Sequence, residues 1–157
     1  MSQAWERALA ATSLSADDID KLIVTGTHGR AVARNAKRLG VRDEAMVDDL
    51  SGSVGNTGTA HPILVLTSAL EQASSGETIA VMTLADGVEV IVLRTTDAIS
   101  AASPAMSTAD QIASGTTVSY GKFLSWRGMV SVEPPNRPLP NRPSASAAHR
   151  RNDWKFG

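Results

Sequence analysis

The chain has 157 residues, 42% of them hydrophobic and 4% aromatic, with a formal net charge of −1 and no cysteine. Its length suits one domain with a core of its own, and the lack of cysteine excludes disulfides, thiolate metal sites and thiol catalysis by this chain. Neither a signal sequence nor an apolar run long enough to cross a bilayer is recognisable. We therefore predict a cytoplasmic protein that binds neither membranes nor nucleic acid.

The N-terminal part predicts a helix, a capped turn and a buried strand. Residues 4–12 form an amphipathic pattern with Trp5 and Leu9 on one face. Ser15 is suited to cap the turn that follows, because serine side chains accept from the free N–H groups at a helix start. The apolar residues 22–24 predict a buried strand.

A basic segment and an acidic segment come next. Residues 30–39 predict a basic amphipathic helix that ends at Gly40, since glycine is common just after a helix end. The acidic stretch after it contains residues 45–47, which are either a brief strand or a helical turn. An ordinary exposed face is the preferred reading of the basic helix.

The middle of the chain predicts a helix followed by a hairpin. Residues 59–73 are apolar nearly all round, Ile63 included, which is typical of a buried helix. Residues 78–84 and 88–95 predict strands joined by an Asp-Gly turn at 85–87. Because both strands are almost continuously apolar, we expect both faces of the sheet to be covered. The order of elements predicts an α/β layered fold.

A glycine-rich run at residues 52–60 directly precedes the apolar helix. Glycines let the backbone bend sharply and approach a ligand, and Asn56 lies where the helix dipole favours developing negative charge. The glycine spacing differs from the dinucleotide fingerprint, so a nucleotide-binding protein is only a third reading. The carboxylates lack metal-loop spacing and predict caps or solvated faces; they are Asp17, Asp18, Asp20, Asp48 and Asp49.

The three histidines differ in their expected surroundings. His28 follows the first strand, where ligand sites form in α/β folds, and is either part of such a site or merely solvated. For His61, one turn inside the apolar helix, packing or capping is favoured over catalysis. His149 lies in the linker and is expected to be exposed.

The C-terminal part has a different composition, so we divide the chain into residues 1–97 and 98–157. Residues 119–128 predict a small helix, and 134–143 contain five prolines and should be extended. Beyond residue 118 there are 7 basic and 2 acidic side chains, against 8 and 14 before it. A solvated linker is favoured over an interaction tail.

Several short motifs occur in a characteristic order. They are Ala36-Lys37-Arg38-Leu39-Gly40, Gly55-Asn56-Thr57-Gly58, Ser75-Gly76-Glu77 and Asp86-Gly87. Over about residues 16–96, their order and spacing resemble the C-terminal half of thiolase-superfamily condensing enzymes of the ketoacyl synthase III and hydroxymethylglutaryl-CoA synthase type. The resemblance implies an α/β fold: a thiolase-like half, with a layered mixed sheet and a buried helix, followed by a Pro-rich extended tail.

The resemblance also implies roles for particular residues. Asn56 and His28 would hold the thioester carbonyl oxygen, although an alignment without gaps places Thr25 on the family histidine. The substrate-contacting residues that it implies are Gly55, Thr57 and Gly58. The cysteine nucleophile would come from an N-terminal half, so this chain alone should be inactive.

The expected function is therefore part of an acyl-CoA condensing acyltransferase, similar to hydroxymethylglutaryl-CoA synthase, with acyl-CoA as substrate and no cofactor in this chain. The tail resembles the connector to a zinc-ribbon and OB-fold acyl-CoA-associated domain, so zinc would be bound only by that partner. The alternative is a noncatalytic thiolase-like scaffold for the same partner. Either reading makes the chain a piece of a homo- or hetero-oligomeric assembly.

Overall fold

A mixed sheet organises the part of the chain that the structure, a computed structural model, describes: residues 1–102 and 104–133. Its strands there are β1 (Lys21–Gly26), β2 (Thr78–Leu84) and β3 (Val88–Arg94), in the order β1-β2-β3. β1 runs parallel to β2, and β2 antiparallel to β3. The predicted strand and hairpin are confirmed.

Helices flank the sheet on both faces. In chain order, the α-helices of the described residues are α1 (Ser2–Thr12), α2 (Gly29–Ala36), α3 (Ser51–Val54), α4 (His61–Leu70), α5 (Thr108–Ala113) and α6 (Tyr120–Trp126). Four 3-10 turns also occur, at Ala16–Asp18, Asp43–Ala45, Gly58–Ala60 and Asp97–Ala101. None of the helices described has the length and apolar character needed to cross a bilayer.

α1 forms for the reason that its pattern predicts. Trp5 is buried, and its indole Nε1–H donates to the Leu39 carbonyl over 3.0 Å, so the ring packs without leaving its polar atom unpaired. The next turn begins after Ser15 as expected, but the Ser15 hydroxyl donates instead of accepting: the Ser15 N–H and hydroxyl both donate to the Asp18 carboxylate, at 2.7 and 2.6 Å.

α2 is shorter than its pattern predicts. The helix ends at Ala36 instead of Leu39, because the last residues tighten into a turn in which the Leu39 N–H donates to the Ala36 carbonyl. Gly40 follows with the positive φ of 74° expected after a helix end. At residues 45–47 both alternatives occur, since a 3-10 turn runs directly into a single parallel bridge between Met46 and Leu22.

One face of the sheet is closed. α1 and α2 pack against it around a cluster that includes the fully buried Leu22 of β1 and Met82 of β2. Val88 and Val90 of β3 are half-buried against the same cluster. We call this the closed face.

The opposite face is covered only in part, and here the prediction of strands buried on both sides is wrong for β3. α4 packs through Val65 and Ala69 onto β1 and β2. Ile91 and Leu93 of β3 remain 46% and 36% exposed. Burial alternates along β3 because it is an edge strand with helices on one side. We call this the open face.

α4 itself is not buried all round, contrary to the prediction. It turns His61, Val65 and Ala69 inward, while Ile63 is 61% exposed. A helix that packs on one sheet buries only one stripe, so the apolar residues on its far side have no cover among the residues described.

The glycine-rich run also differs from the expected single turn. α3 takes up its beginning as one helical turn, and the bend is confined to residues 55–58. Gly55 and Gly58 both have φ of 69°, a conformation that favours glycine.

The first compact unit extends from Met1 to Gly115. The division predicted between residues 97 and 98 falls inside this unit. Hydrogen bonds join residues on the two sides of the predicted division: the Glu71 carboxylate accepts from both the N–H and the hydroxyl of Thr108 at 2.8–3.0 Å.

The second unit begins at Thr116, and its described part contains α6. The small helix predicted at residues 119–128 is confirmed, with the Ser119 hydroxyl accepting from the Lys122 N–H over 3.3 Å. The Pro-rich segment and His149 lie outside the described residues.

Candidate active site

A cavity of about 620 Å³ opens between the open face of the sheet, the start of α4 and the bend before it. Its polar side is formed where β1 ends, and its apolar floor comes from β2, β3 and α4. The residues on the polar side are Thr25, Gly26, Thr27, Asn56, Gly58, Thr59 and His61, and β2 and β3 add the polar side chains of Thr83 and Glu89. The apolar ones include Pro62, Ile63, Leu66, Val81, Leu84, Ile91 and Leu93. Such a mixture suits a ligand with an apolar chain and a polar head.

Asn56 is held at the cavity by both ends of its amide. Its Nδ2 donates to the Gly26 carbonyl over 2.9 Å, and its Oδ1 accepts from the Gly58 N–H over 2.8 Å. Since an amide nitrogen carries two hydrogens, one N–H remains for a ligand. The structure thus places Asn56 and Gly58 at the cavity, while Gly55 and Thr57 are not among the residues that line it. The roles predicted for all four stay predictions.

His28 lies elsewhere. It is exposed, it precedes α2, and it is not among the residues that line the cavity. Its backbone carbonyl accepts from the N–H groups of Ala31 and Val32 and so helps to start that helix. The role predicted for its imidazole stays a prediction.

His61 is the histidine that lines the cavity. It is 3% exposed, and its Nδ1 lies 3.4 Å from the Thr57 N and 3.3 Å from the Thr57 Oγ1. The packing and capping role expected for it is therefore present. Its place in the lining of the cavity was not predicted, because it depends on where the fold directs the first turn of α4.

Thr25 is the residue that sequence reasoning undervalued. It is 3% exposed, lines the cavity, and its hydroxyl has no hydrogen-bond partner among the described residues. Thr25 lies two residues after Ile23, whose side chain packs under α4. Because residues two apart on a strand share a face, this spacing could have predicted that Thr25 points to the same side of the sheet.

Asp48 and Asp49 act as the expected caps, whereas Asp20 links the start of β1 to β2. Asp48 and Asp49 accept from the N–H groups two residues ahead, and Asp20 accepts from the Thr78 N–H over 2.8 Å. The Ser15 hydroxyl, followed by its N–H, holds the pKa of Asp18 below its ordinary value. In the residues described, no group of three or more side chains is arranged to hold a metal ion.

Comparison with known families shows to which family the chain belongs. The model of the family described as 3-oxoacyl-[acyl-carrier-protein (ACP)] synthase III C terminal matches residues 9–95, more than half of the chain. The chain belongs to this family. It is thus related to the C-terminal domain of thiolase-superfamily condensing enzymes, and the predicted thiolase-like fold is confirmed.

A solved structure supports the assignment to this family. FabH, the 3-oxoacyl-(acyl carrier protein) synthase III of Pseudomonas aeruginosa PAO1, is 26% identical, with a TM-score of 0.53. The match covers 61% of this chain and 30% of that one, so the chain corresponds to about a third of the enzyme's length. No curated protein matches the chain significantly.

Proposed function

We propose that this chain is the C-terminal half of an acyl-thioester condensing enzyme that forms carbon–carbon bonds, similar to hydroxymethylglutaryl-CoA synthase and acting in the cytoplasm. The observation that carries the proposal is Asn56, fixed at a cavity by two hydrogen bonds, in a chain that belongs to the synthase III C-terminal family. Acyl-CoA is the proposed substrate.

The chemistry assigned to this half is stabilisation of an oxyanion. A cysteine thiolate from the N-terminal half attacks the thioester carbonyl, negative charge moves to the carbonyl oxygen, and the acyl group passes to the cysteine as the CoA thiolate leaves. The chain contains no cysteine to act in this step. Its free Asn56 N–H can donate to the oxygen, and removal of one such donor costs roughly 10²–10³ in rate.

The open face is the proposed contact with the N-terminal half. Ile63, Ile91 and Leu93 expose apolar surface beside the same cavity, and surface of this kind marks an interaction site more often than a solvated one. A half that covers β3 from this side would bring its own residues to the cavity. The assembly is then a hetero-oligomer of two halves, or a homo-oligomer of the joined enzyme.

The test is reconstitution with a cysteine-bearing N-terminal half of a synthase III. We expect acyl transfer from acyl-CoA to the cysteine in the complex and none by the chain alone. Asn56→Ala should lower the rate by roughly 10²–10³, while Asn35→Ala, an amide on α2 away from the cavity, should leave it unchanged. Turnover that survives Asn56→Ala, or turnover by the chain alone, contradicts the proposal.

A second candidate function is a noncatalytic scaffold that binds a zinc-ribbon/OB-fold partner, which would carry the zinc. The observation that favours it is Thr25, which stands on the family histidine in the ungapped alignment and fills the place of an ionisable group with a hydroxyl. A scaffold predicts assembly with that partner and no acyl transfer in the reconstituted complex. If a truncated chain that ends at residue 118 still binds the partner, the partner does not need the tail for binding.

A further inference from the structure

Two buried polar side chains at the cavity have no part in the proposed function so far. They are the His61 imidazole and the Thr25 hydroxyl, both almost fully buried and both on the cavity wall. Burying a polar atom without a partner costs free energy, so the unpartnered Thr25 hydroxyl at the cavity invites a ligand atom.

The contacts of His61 determine which ring nitrogen carries the hydrogen. A backbone N–H can only donate, so the Thr57 N–H makes Nδ1 the acceptor. In a neutral imidazole the hydrogen is then on Nε2. Among the described residues Nε2 has no hydrogen-bond partner, and His61 therefore offers an N–H donor to the cavity.

Thr25 independently indicates that this end of the cavity takes a polar atom. Its hydroxyl is buried and unpartnered at the end of β1, and the next residue, Gly26, holds the Asn56 amide through its carbonyl. Asn56, His61 and Thr25 thus offer three donor groups among the residues that line the cavity, each with a hydrogen not committed within the described residues. A carbonyl oxygen, which only accepts, is the matching ligand atom.

We propose that His61 is a catalytic residue whose Nε2–H donates to the carbonyl oxygen of the acyl thioester beside Asn56, with the Thr25 hydroxyl as a further donor. This inference rests on the proposed function and assigns to His61 the part that the sequence predicted for His28. His28 is exposed and outside the cavity lining, whereas His61 is fixed by Thr57 and faces the cavity that Asn56 lines.

The test compares two ligands that differ in one oxygen: acetyl-CoA and its thioether analogue S-ethyl-CoA. Histidine side-chain NMR of the full chain should show the His61 Nε2–H signal shifting with acetyl-CoA and not with S-ethyl-CoA, and the His28 signals unmoved by the acyl group. Equal shifts with both ligands, a carbonyl-dependent shift at His28, or no binding of either ligand overturns the proposal.

A pair of substitutions separates donation from structure. His61→Gln keeps a donor near the Nε2 position, whereas His61→Asn keeps an acceptor near Nδ1 for the Thr57 N–H and loses the donor. We expect His61→Asn to weaken acetyl-CoA binding about fivefold to tenfold and His61→Gln to retain it. A purely structural role predicts the reverse order, with S-ethyl-CoA affected equally; Asn35→Ala, outside the cavity lining, serves as the control.

The two proposals fail in different ways. If reconstituted turnover depends on His28 and not on His61, the condensing function stands and the role of His61 is wrong. If the carbonyl-dependent shift at His61 is observed but no complex turns over, the site binds acyl thioesters without catalysis. The wild-type NMR comparison decides the assignment even where a variant does not fold.

Discussion

The two faces of the sheet are built from the same strands and differ in almost every property. On the closed face, Leu22 and Met82 are fully buried under two helices. On the open face, Ile91 and Leu93 stay exposed, and beside them lies the cavity with its unpartnered hydroxyl. The contrast teaches that the larger buried cluster lies on one side of the sheet, while the other side combines a smaller cluster under α4 with the cavity.

The largest expected effect is a loss of stability confined to the closed face. Leu22→Ala should lower the free energy of unfolding by about 2–5 kcal/mol, because it leaves a cavity in a fully packed cluster. Ile91→Ala, its counterpart on the open face, should cost less than about 1 kcal/mol. Denaturant unfolding measures both, and similar losses at the two sites would abolish the distinction between the faces.

A second comparison concerns Gly26, the last residue of β1. A Cβ at Gly26 would lie 2.9 Å from Val32 Cγ2 and 3.0 Å from the Leu84 backbone oxygen, so Gly26→Ala should cost about 1–3 kcal/mol. It should also displace the carbonyl that holds Asn56.

The matched control for that substitution is Gly29→Ala, in the first turn of α2. A Cβ there meets nothing within 4 Å, and alanine favours a helix, so stability should be unchanged or rise by about 0.5 kcal/mol. Thermal unfolding followed by circular dichroism compares the two. A Gly26→Ala chain as stable as the Gly29→Ala chain would show that the strand end yields without strain.

A smaller effect of opposite sign is expected inside the cavity. Thr25→Val removes a buried hydroxyl without a described partner and keeps the shape, so it should raise the free energy of unfolding by about 1 kcal/mol. Thr83→Val, on the same face but only half-buried, should change it little. If Thr25→Val destabilises the chain, the hydroxyl has a partner in the folded protein.

The smallest effect belongs to the exposed cap far from the cavity. The Ser15 hydroxyl and N–H hold the pKa of Asp18 below its ordinary value, so Ser15→Ala should raise that pKa towards it. A lowered carboxyl pKa adds stability above the unfolded-state pKa, and that stability is lost as the pH falls through the folded-state pKa. The variant should therefore differ from the wild type most at neutral pH and least in acid.

An NMR titration of Asp18 measures this shift directly, and Ser53→Ala, an exposed serine in α3, is the control. An unchanged Asp18 titration in Ser15→Ala would mean that the backbone N–H alone sets the pKa.

Local elements of the fold were predictable from the sequence, and the relations between elements were not. α1, the Ser15 turn, β1 and the hairpin follow from short-range patterns and are confirmed. The uncovered side of β3 could not be read from its apolar sequence, because exposure there depends on how far α4 extends across the sheet. The same holds for Ile63, whose apolar character says nothing about which stripe of α4 meets the strands.

The residues of the candidate site also differ in whether their placement could be predicted from the sequence. Asn56 was predictable, since a glycine-bounded bend before a helix restricts where its side chain can lie. The relative placement of His28 and His61 was not, because it depends on the direction in which the chain leaves β1 and enters α4. Thr25 was found as a position in the family pattern, but its unpaired hydroxyl is a property of the packed structure alone.

The double tether of Asn56 has a consequence for the thermodynamics of binding. One of its hydrogen bonds joins the bend to a strand end 30 residues earlier in the chain, and the other lies within the bend, so the side chain loses its rotamer freedom when the chain folds. A ligand that arrives later finds the amide already ordered and meets little further entropic penalty at that contact. The donor therefore loses its conformational entropy when the chain folds and not when the ligand binds.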